Sequence, residues 1–301
     1  MTNEQRLKNL EVPTGKIDVV LDTDTFHEID DQFALAYLLR STEKLNTKAI
    51  YAAPFFNQHS TSPADGMERS YEEIKKVLAL MNEDLPVFKG SDKYLPDERT
   101  AVDSPAADDL IARAKLYSPE NPLYVVAIGA ITNVASALIK APEITENIVI
   151  VWLGGNSRQY HDTKEFNMMQ DVAAARVVMR SAAPFVQLPC MGIVSSFMIS
   201  APELEYWLMD KNPLADYLAR NTIKEANAYA SGKPWTRVIW DVTAVAWLLN
   251  DNSRFMLSRI EKTLLPSYEH KYEENTGADM RYVYHIWRDS LMEDLINKLT
   301  K

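Results

Sequence analysis

The chain has 301 residues, of which 47% are hydrophobic and 25% charged, so it is long enough to bury a large core. A formal net charge of -10 without a block of Lys or Arg argues against a nucleic-acid or anionic-membrane partner and favours a small molecule. The single Cys190 excludes an intramolecular disulfide framework. A polar segment 1–13 and the lack of any long apolar run predict a cytoplasmic protein with no membrane partner.

Four acids lie close together near the start of the chain. The apolar run 16–21 predicts a strand and the apolar residues after Asp30 predict a helix, so the acids fall on a strand-to-helix loop. Alternate strand residues share a face, so Asp22 and Asp24 project the same way, and Asp30 and Asp31 return two more carboxylates. Helix capping by Asp30 and a dipole interaction of Asp31 would explain only that pair. Because ionised carboxylates this close repel one another, we expect a hard divalent metal ion.

Strand and helix patterns alternate along the rest of the chain. Short apolar runs predict strands at residues 48–53, 86–88, 123–128, 148–153, 185–188 and 281–285. Apolar or amphipathic segments predict helices at residues 64–81, 106–114, 172–180, 201–209, 212–236, 242–249 and 289–299. With no linker or internal repeat, this order predicts an α/β protein of one domain, residues 1–301, with a mostly parallel central sheet flanked by helices.

Polar residues follow several predicted strands, at the sheet edge where open α/β sheets bind ligands. Asn57 lies on the loop after the second strand. Gly129 begins a turn into a helix that Thr132 or Asn133 is expected to cap, and this single glycine is not a dinucleotide fingerprint. Asn156 follows two glycines that permit positive φ or close approach of a ligand. These loops are candidate binding loops.

The order of five motifs resembles that of the inosine-uridine type nucleoside hydrolases, metal-dependent enzymes that cleave ribonucleosides to free base and ribose. The motifs are Asp22-Thr23-Asp24 with Asp30-Asp31, Ile128 to Asn133, Gly154-Gly155-Asn156, Glu165-Phe166-Asn167 and Trp240-Asp241. No single motif is diagnostic, but their order covers nearly the whole chain. The resemblance implies a Rossmann-like core, a nucleoside substrate and a homodimer or homotetramer.

The resemblance also implies roles for individual residues. Asp24 would bind Ca²⁺ and act as the general base for a Ca²⁺-bound water, and Asp31 would be a second ligand. The carbonyl of Ile128 and the carboxylate of Asp241 would complete the protein ligands, while Asp30 would hold a ribose hydroxyl. Because all these donors are oxygens, Ca²⁺ is the expected ion and Mg²⁺ the second choice.

Further substrate contacts follow from the same motifs. Glu165 and Asn167 fall where the family binds the ribose 5′-hydroxyl, although both residue types also satisfy backbone groups near helix starts. Asn57 and Asn156 lie on the candidate binding loops and are expected to contact the substrate. Trp240 stands where many members have His and resembles the purine-preferring branch, which favours a purine nucleoside, although a buried core tryptophan is an equal reading.

The segment Thr25 to Ile29, here called the long loop, replaces a shorter Pro-Gly segment of the family. It carries His27, a candidate acid for the leaving base. His59 and His161 lie on loops near the same sheet edge and are further candidates, although each is commonly a surface or capping histidine.

Two alternative functions remain open at this level. The apolar strand followed by Asp22-Thr23-Asp24-Thr25 also fits a haloacid-dehalogenase-like phosphatase, in which Asp22 would be the nucleophile. Such enzymes need a late acidic pair, and the adjacent acids come too early here. The other alternative is a non-catalytic nucleoside-binding or ribose-binding protein on the same scaffold.

Overall fold

An eight-stranded sheet runs through the middle of the protein. The computed structural model describes residues 1–301, apart from the side chain of Glu274. The strands are β1 (Ile17–Thr23), β2 (Leu45–Ala52), β3 (Val87–Lys89), β4 (Leu123–Ala127), β5 (Ile148–Leu153), β6 (Phe185–Leu188), β7 (Met198–Ser200), β8 (Thr236–Val238), β9 (Met256–Pro266) and β10 (Tyr272–Ile286). The large sheet has the order β3-β2-β1-β4-β5-β6-β10-β9, and only the β9–β10 pair in it is antiparallel. The predicted α/β class with a mostly parallel sheet is therefore confirmed.

Helices cover both faces of this sheet. They are α1 (Asn3–Asn9), α2 (Asp31–Leu39), α3 (Pro63–Met81), α4 (Pro105–Ala114), α5 (Thr132–Lys140), α6 (Phe166–Gln170), α7 (Val172–Arg180), α8 (Ala201–Trp207), α9 (Pro213–Ala230), α10 (Val242–Leu248) and α11 (Arg288–Leu299). Among the described residues, no helix has both the length and the apolar character that a membrane crossing requires.

The strand sequences explain why both faces are covered. Val19 and Leu21 of β1 pack into the core on one face, and Val20, between them, packs into the core on the other. Val125 and Val126 of β4 divide between the two faces in the same way. Because successive strand side chains point to opposite faces, a continuous apolar run needs helices on both sides.

The strand order places a ligand crevice at a defined edge. β1 lies between β2 and β4, so the chain reverses its direction of travel across the sheet at the junction of β1 and β4. Loops that leave the carboxyl ends of these two strands diverge, which opens a crevice between them. The loop after β1 is the one that carries the clustered acids.

Some elements differ from the prediction. The predicted helix 212–236 ends at Ala230, and Thr236–Val238 instead forms β8, which pairs with β7 in a small antiparallel sheet. The strand predicted at 281–285 is the end of the longer β10, which pairs with the unpredicted edge strand β9. Charged residues interrupt the apolar pattern of β9, so its pairing with β10 is what identifies it as a strand.

The expected cap of α5 is also wrong. Ile131 occupies the N-cap position and no side chain caps the helix there. Asn133 instead donates a hydrogen bond from Nδ2 to Asp22 Oδ1 at 2.8 Å. The side chain of Asn133 therefore makes a tertiary contact with β1 and does not form the helix cap that the local pattern predicts.

Candidate active site

A cavity of about 210 Å³ opens at the carboxyl edge of the sheet. Its lining comes from the loop after β1, the end of β5, the start of α6, the loop after β6 and the start of α10. The lining residues are His27, Glu28, Asp30, Leu153, Asn156, Lys164, Glu165, Phe166, Asn167, Cys190, Met191, Trp240 and Asp241. Seven of the sequence-predicted site residues, namely His27, Asp30, Asn156, Glu165, Asn167, Trp240 and Asp241, are therefore brought to one cavity.

Four carboxylates, here called the acid cluster, lie buried beside this cavity: Asp24, Asp30, Asp31 and Asp241. Oxygens of Asp30, Asp31 and Asp241 lie within 4.8 Å of one another, and so do ligand atoms of Asp24, His27 and Asp31. Asp31 belongs to both groups. The fold thus brings Asp241, from far along the chain, to the acids of the β1–α2 junction.

Helix capping does not account for these acids. Asp30 and Asp241 stand at the N-cap positions of α2 and α10, yet neither side chain makes a capping hydrogen bond. Both Oδ atoms of Asp24, Oδ2 of Asp31, Oδ1 of Asp30 and Oδ2 of Asp241 are buried without a hydrogen-bond partner among the described residues. A buried carboxylate oxygen without a donor is unfavourable, so these oxygens fit a bound cation.

The electrostatics of the acid cluster agree with this reading. Burial raises the pKa of Asp241 well above its ordinary value, and the charges of Asp30, Asp31 and Asp24 raise it further. Burial also raises the pKa of Asp24 well above its ordinary value, against the opposing effect of His27. Burial, followed by the charges of Glu28 and Asp31, raises the pKa of Asp30 to about 7. Without a cation, the acid cluster resists full ionisation.

Asp22 belongs to the support of this cluster and does not line the cavity. Besides bonding Asp22, Asn133 accepts hydrogen bonds at Oδ1 from the backbone N and the hydroxyl of Ser91, at 2.7 and 2.9 Å. Thr23 donates its hydroxyl to Asp31 Oδ1. The supporting roles of Thr23 and Asn133 were missed from sequence, although both lie within the recognised motifs.

The glycine turn after β4 has a steric reason. A Cβ at Gly129 would lie 2.9 Å from Asp24 Oδ1. Glycine is therefore required for this backbone to pass the carboxylate without displacing it. The preceding carbonyl, of Ile128, accepts a hydrogen bond from Asn167 Nδ2 at 3.0 Å.

Asn167 and Glu165 are both engaged locally. Asn167 Nδ2 also donates to the carbonyl of Leu153 at 3.0 Å, while its Oδ1 is buried without a partner among the described residues. Glu165 caps α6 by accepting hydrogen bonds from the backbone N of Asn167 and Met168 at 2.9 and 3.0 Å, and it also accepts one from the backbone N of Gly155 at 2.7 Å. The alternative local role of Glu165 is therefore present, and Asn167 Oδ1 is the atom left for a ligand.

Of the other predicted substrate contacts, Asn156 and Trp240 line the cavity and Asn57 does not. Asn156 lines the cavity and is held by the backbone N of Met191, which donates to Oδ1 at 3.2 Å. Asn57 is not among the lining residues, and its Nδ2 donates to the carbonyl of His27 at 3.1 Å. Trp240 is half-buried, with contacts to both the cavity and the core. Asn57 thus stabilises the long loop in this structure.

His27 points from the long loop toward the acid cluster. Its Nδ1 lies 3.6 Å from Asp24 Oδ1 and 3.6 Å from Asp31 Oδ2, and its ring stacks on Phe166 at 4.3 Å between centroids. Burial opposes protonation of the imidazole, but the carboxylates of Asp24 and Asp31 raise its pKa to about 10. His59 instead packs edge-on against Phe26.

The remaining histidine candidate, His161, and Glu28 of the long loop each have a charged neighbour. His161 is exposed and its Nε2 lies 3.2 Å from Asp162 Oδ2. Glu28 lines the cavity and pairs with Arg237, on β8, at 2.9 Å. Of the three candidate histidines, His27 is the one that reaches the cavity.

The chain is similar to known proteins over most of its length. A model of the family described as inosine-uridine preferring nucleoside hydrolase matches residues 19–280, a span that contains the whole acid cluster. The chain is 26% identical over 298 residues to the pyrimidine-specific ribonucleoside hydrolase RihA of Klebsiella pneumoniae (strain 342), and the match covers 90% of each.

Solved structures show the same fold. A purine-preferring ribonucleoside hydrolase from Gardnerella vaginalis has a TM-score of 0.73 and 20% identity, with 94% of this chain and 98% of that chain covered. A plant nucleoside hydrolase has a TM-score of 0.75 and 17% identity, with 94% and 99% covered.

Proposed function

The chain belongs to the inosine-uridine preferring nucleoside hydrolase family, and we propose that residues 1–301 form one catalytic domain that hydrolyses ribonucleosides to free base and ribose. The observation that carries the proposal is the set of buried, unpartnered carboxylate oxygens in the acid cluster, beside a cavity for a small molecule. The expected cytoplasmic location and homodimeric or homotetrameric assembly stay predictions.

A divalent cation would be held by the carboxylates of Asp24, Asp31 and Asp241 and by the carbonyl of Ile128. The unpartnered oxygens support this donor set, and the Ile128 carbonyl has a second lone pair beside the one that Asn167 uses. From oxygen donors alone the expected ion is Ca²⁺, with Mg²⁺ second. When bound, the cation would lower the pKa of water and orient the ribose diol.

Asp24 is the proposed general base. It is buried, both of its carboxylate oxygens are without a partner among the described residues, and it would take the proton of the attacking water at one of them. Asp30 would accept a hydrogen bond from a ribose hydroxyl, since it lines the cavity and its Oδ1 is unpartnered. Cleavage passes through an oxocarbenium-like transition state, whose positive charge the acids stabilise.

The far end of the ribose would meet Asn167 and Glu165. Asn167 Oδ1 is the free acceptor for a 5′-hydroxyl, because its Nδ2 already donates to two strand-end carbonyls. Glu165 lines the cavity, but three backbone N–H groups hold its carboxylate, so its contact with substrate is the weaker proposal. Asn156 would contact the sugar from the same wall.

The base would lie against Trp240, whose indole lines the cavity and offers a flat face to a purine. We propose a preference for purine over pyrimidine nucleosides on this ground. His27 is the proposed acid for the leaving base, and because Nδ1 faces Asp24 and Asp31, Nε2 is the nitrogen left to donate.

The test is product analysis with purified protein. Purine and pyrimidine ribonucleosides and their 5′-monophosphates are incubated with the protein, and free base, ribose and inorganic phosphate are quantified by chromatography. Free base and ribose from the nucleosides are expected. Phosphate without base would instead support the phosphatase alternative, which the buried position of Asp22 and its bond to Asn133 disfavour.

A further inference from the structure

The long loop brings a nitrogen donor to the acid cluster. His27 is only 9% exposed, and its Nδ1 is buried without a hydrogen-bond partner among the described residues. That atom faces two carboxylates at once, Asp24 Oδ1 and Asp31 Oδ2. Each of these three residues offers a ligand atom, and the three atoms lie within 4.8 Å of one another.

The distances suit shared ligands better than direct hydrogen bonds. An N–H···O hydrogen bond spans about 2.7–3.2 Å, whereas Nδ1 lies 3.6 Å from each carboxylate oxygen. Two ligands bound to one ion at about 2.0–2.2 Å, at angles between octahedral and tetrahedral, lie roughly 2.8–3.6 Å apart, so the observed 3.6 Å falls at the upper end of this range. The imidazole is thus spaced from both carboxylates as a neighbouring ligand would be.

The ring is also held in place from several directions. It stacks on Phe166 with an interplanar angle of 9°, which fixes the plane of the imidazole. The backbone N of His27 donates to the Asp24 carbonyl at 2.8 Å, and its own carbonyl accepts from Asn57 Nδ2 at 3.1 Å. A donor atom held in this way is pre-organised for coordination.

We propose that His27 Nδ1, in place of acting as the leaving-group acid, coordinates the divalent cation together with Asp24 and Asp31, which makes this a mixed nitrogen and oxygen site. The inference rests on the metal site of the proposed function and deepens it. Imidazole is a ligand for Zn²⁺, Co²⁺, Ni²⁺ and Fe²⁺, whereas Ca²⁺ and Mg²⁺ prefer oxygen. The long loop therefore shifts selectivity from Ca²⁺ toward first-row transition ions.

Two readouts on the metal-stripped full chain test this without measuring turnover. Calorimetric titration with CoCl₂ and with CaCl₂ gives the affinity of the native protein for each ion. Proton NMR of the Co²⁺ form in H₂O and in D₂O then detects a coordinated imidazole, because its ring N–H gives a strongly shifted signal that disappears in D₂O. The native protein is expected to bind Co²⁺ more tightly than Ca²⁺ and to show one such signal.

The matched pair of variants is His27→Asn and His285→Asn. His285 is an exposed histidine on β10 whose ring packs on Trp287. His27→Asn replaces nitrogen by an amide oxygen, so Co²⁺ affinity should fall by at least about 10–100-fold and the shifted signal should vanish, with a much smaller change for Ca²⁺. His285→Asn should match the native protein in every readout.

The outcomes separate the two proposals. Co²⁺ bound to the native protein without an exchangeable imidazole signal, or unchanged Co²⁺ affinity in His27→Asn, would overturn the role of His27 and leave the metal site intact. Failure of the native protein to bind either ion would overturn the metal site of the proposed function itself. Should His27→Asn fail to fold, the NMR signal of the native protein alone decides.

Discussion

Two parts of the candidate site are built in different ways. The acid cluster stands at strand ends and helix starts, where the β1–α2 junction and the start of α10 fix the backbone. The long loop is instead held by side chains from distant segments: Phe166 stacks on His27, and Arg237 pairs with Glu28. The motifs that resemble the family therefore lie on regular structure, whereas the segment that departs from the family lies on a loop.

The largest effect is expected in the acid cluster. Asp24→Asn keeps an oxygen at the same position but removes the proposed base, so kcat should fall by roughly 10²–10³-fold or more while nucleoside binding is largely kept. Base release and calorimetric nucleoside binding measure the two properties. Asp97→Asn, at an exposed loop position, is the control. Native turnover in the Asp24 variant would leave the reaction without its base.

Removing the cation should destabilise the protein. A ligand at about 100 times its Kd stabilises the folded state by about 2.7 kcal/mol, so a chelated sample should unfold at a lower urea concentration and recover when Ca²⁺ or Co²⁺ is added. Equal unfolding midpoints with and without the added ion would show that the acid cluster does not need a cation.

The same measurement has a pH dependence with a defined sign. In the metal-free protein, burial raises the pKa of Asp22 and of Asp30 to about 7, above the unfolded value near 4. Their contribution to stability is present in full below about pH 4 and is lost as pH rises through about 7. A cation in the acid cluster would favour the ionised form of the neighbouring Asp30, so the added ion should stabilise the protein more at pH 8 than at pH 5, and the opposite trend would contradict this prediction.

A smaller effect is expected at Trp240, which lines the cavity. If the indole of Trp240 stacks on the base, Trp240→Ala should reduce kcat/KM for inosine more than for uridine, by a differential of about 0.5–1.5 kcal/mol, or roughly two- to tenfold. The exposed Trp207→Ala is the control. Equal losses on both nucleosides would assign Trp240 to packing, and native preference for uridine would remove the proposed purine selectivity.

The smallest effect is expected at Arg237, which pairs with Glu28 of the long loop. Arg237→Gln removes the ion pair with Glu28, which is half exposed, and such pairs contribute about 0.2–1 kcal/mol. The variant should raise KM a few-fold and leave kcat nearly unchanged, because the acid cluster is untouched. Arg259→Gln, at an exposed arginine of β9 that pairs with Glu261, is the control. A large loss of kcat in Arg237→Gln would show that the loop and the acid cluster are one unit.

The sequence predicted the acid cluster and its strands better than the conformation of the long loop. Apolar runs of strand length gave β5 and β6 with their observed ends, and the acids could be recognised from their order along the chain. Thr132-Asn133 could not be assigned correctly, because a helix cap and a tertiary hydrogen bond to Asp22 use the same residue types. Likewise, Glu165 has the local cap role that the motif alone could not separate from substrate binding.

The conformation of the long loop could not be predicted from local sequence patterns, because tertiary contacts determine it. The direction of His27 depends on Phe166 and Asn57, which neither strand periodicity nor capping patterns relate to it. The small β7–β8 sheet, which places Arg237 beside Glu28, is equally a product of tertiary pairing. The resemblance to the family also offered no template there, since the long loop departs from it.

A reconstitution titration tests most directly whether the acid cluster holds a catalytic cation. Metal-stripped protein receives counted equivalents of Ca²⁺ or Co²⁺, and the initial rate of base release from inosine is recorded at each point together with the bound metal per chain. If the acid cluster holds the catalytic cation, stripped protein should be nearly inactive, and the rate should rise in proportion to bound metal until one ion per chain is reached. Full activity in the stripped protein, or no base release at any metal content, would contradict the account.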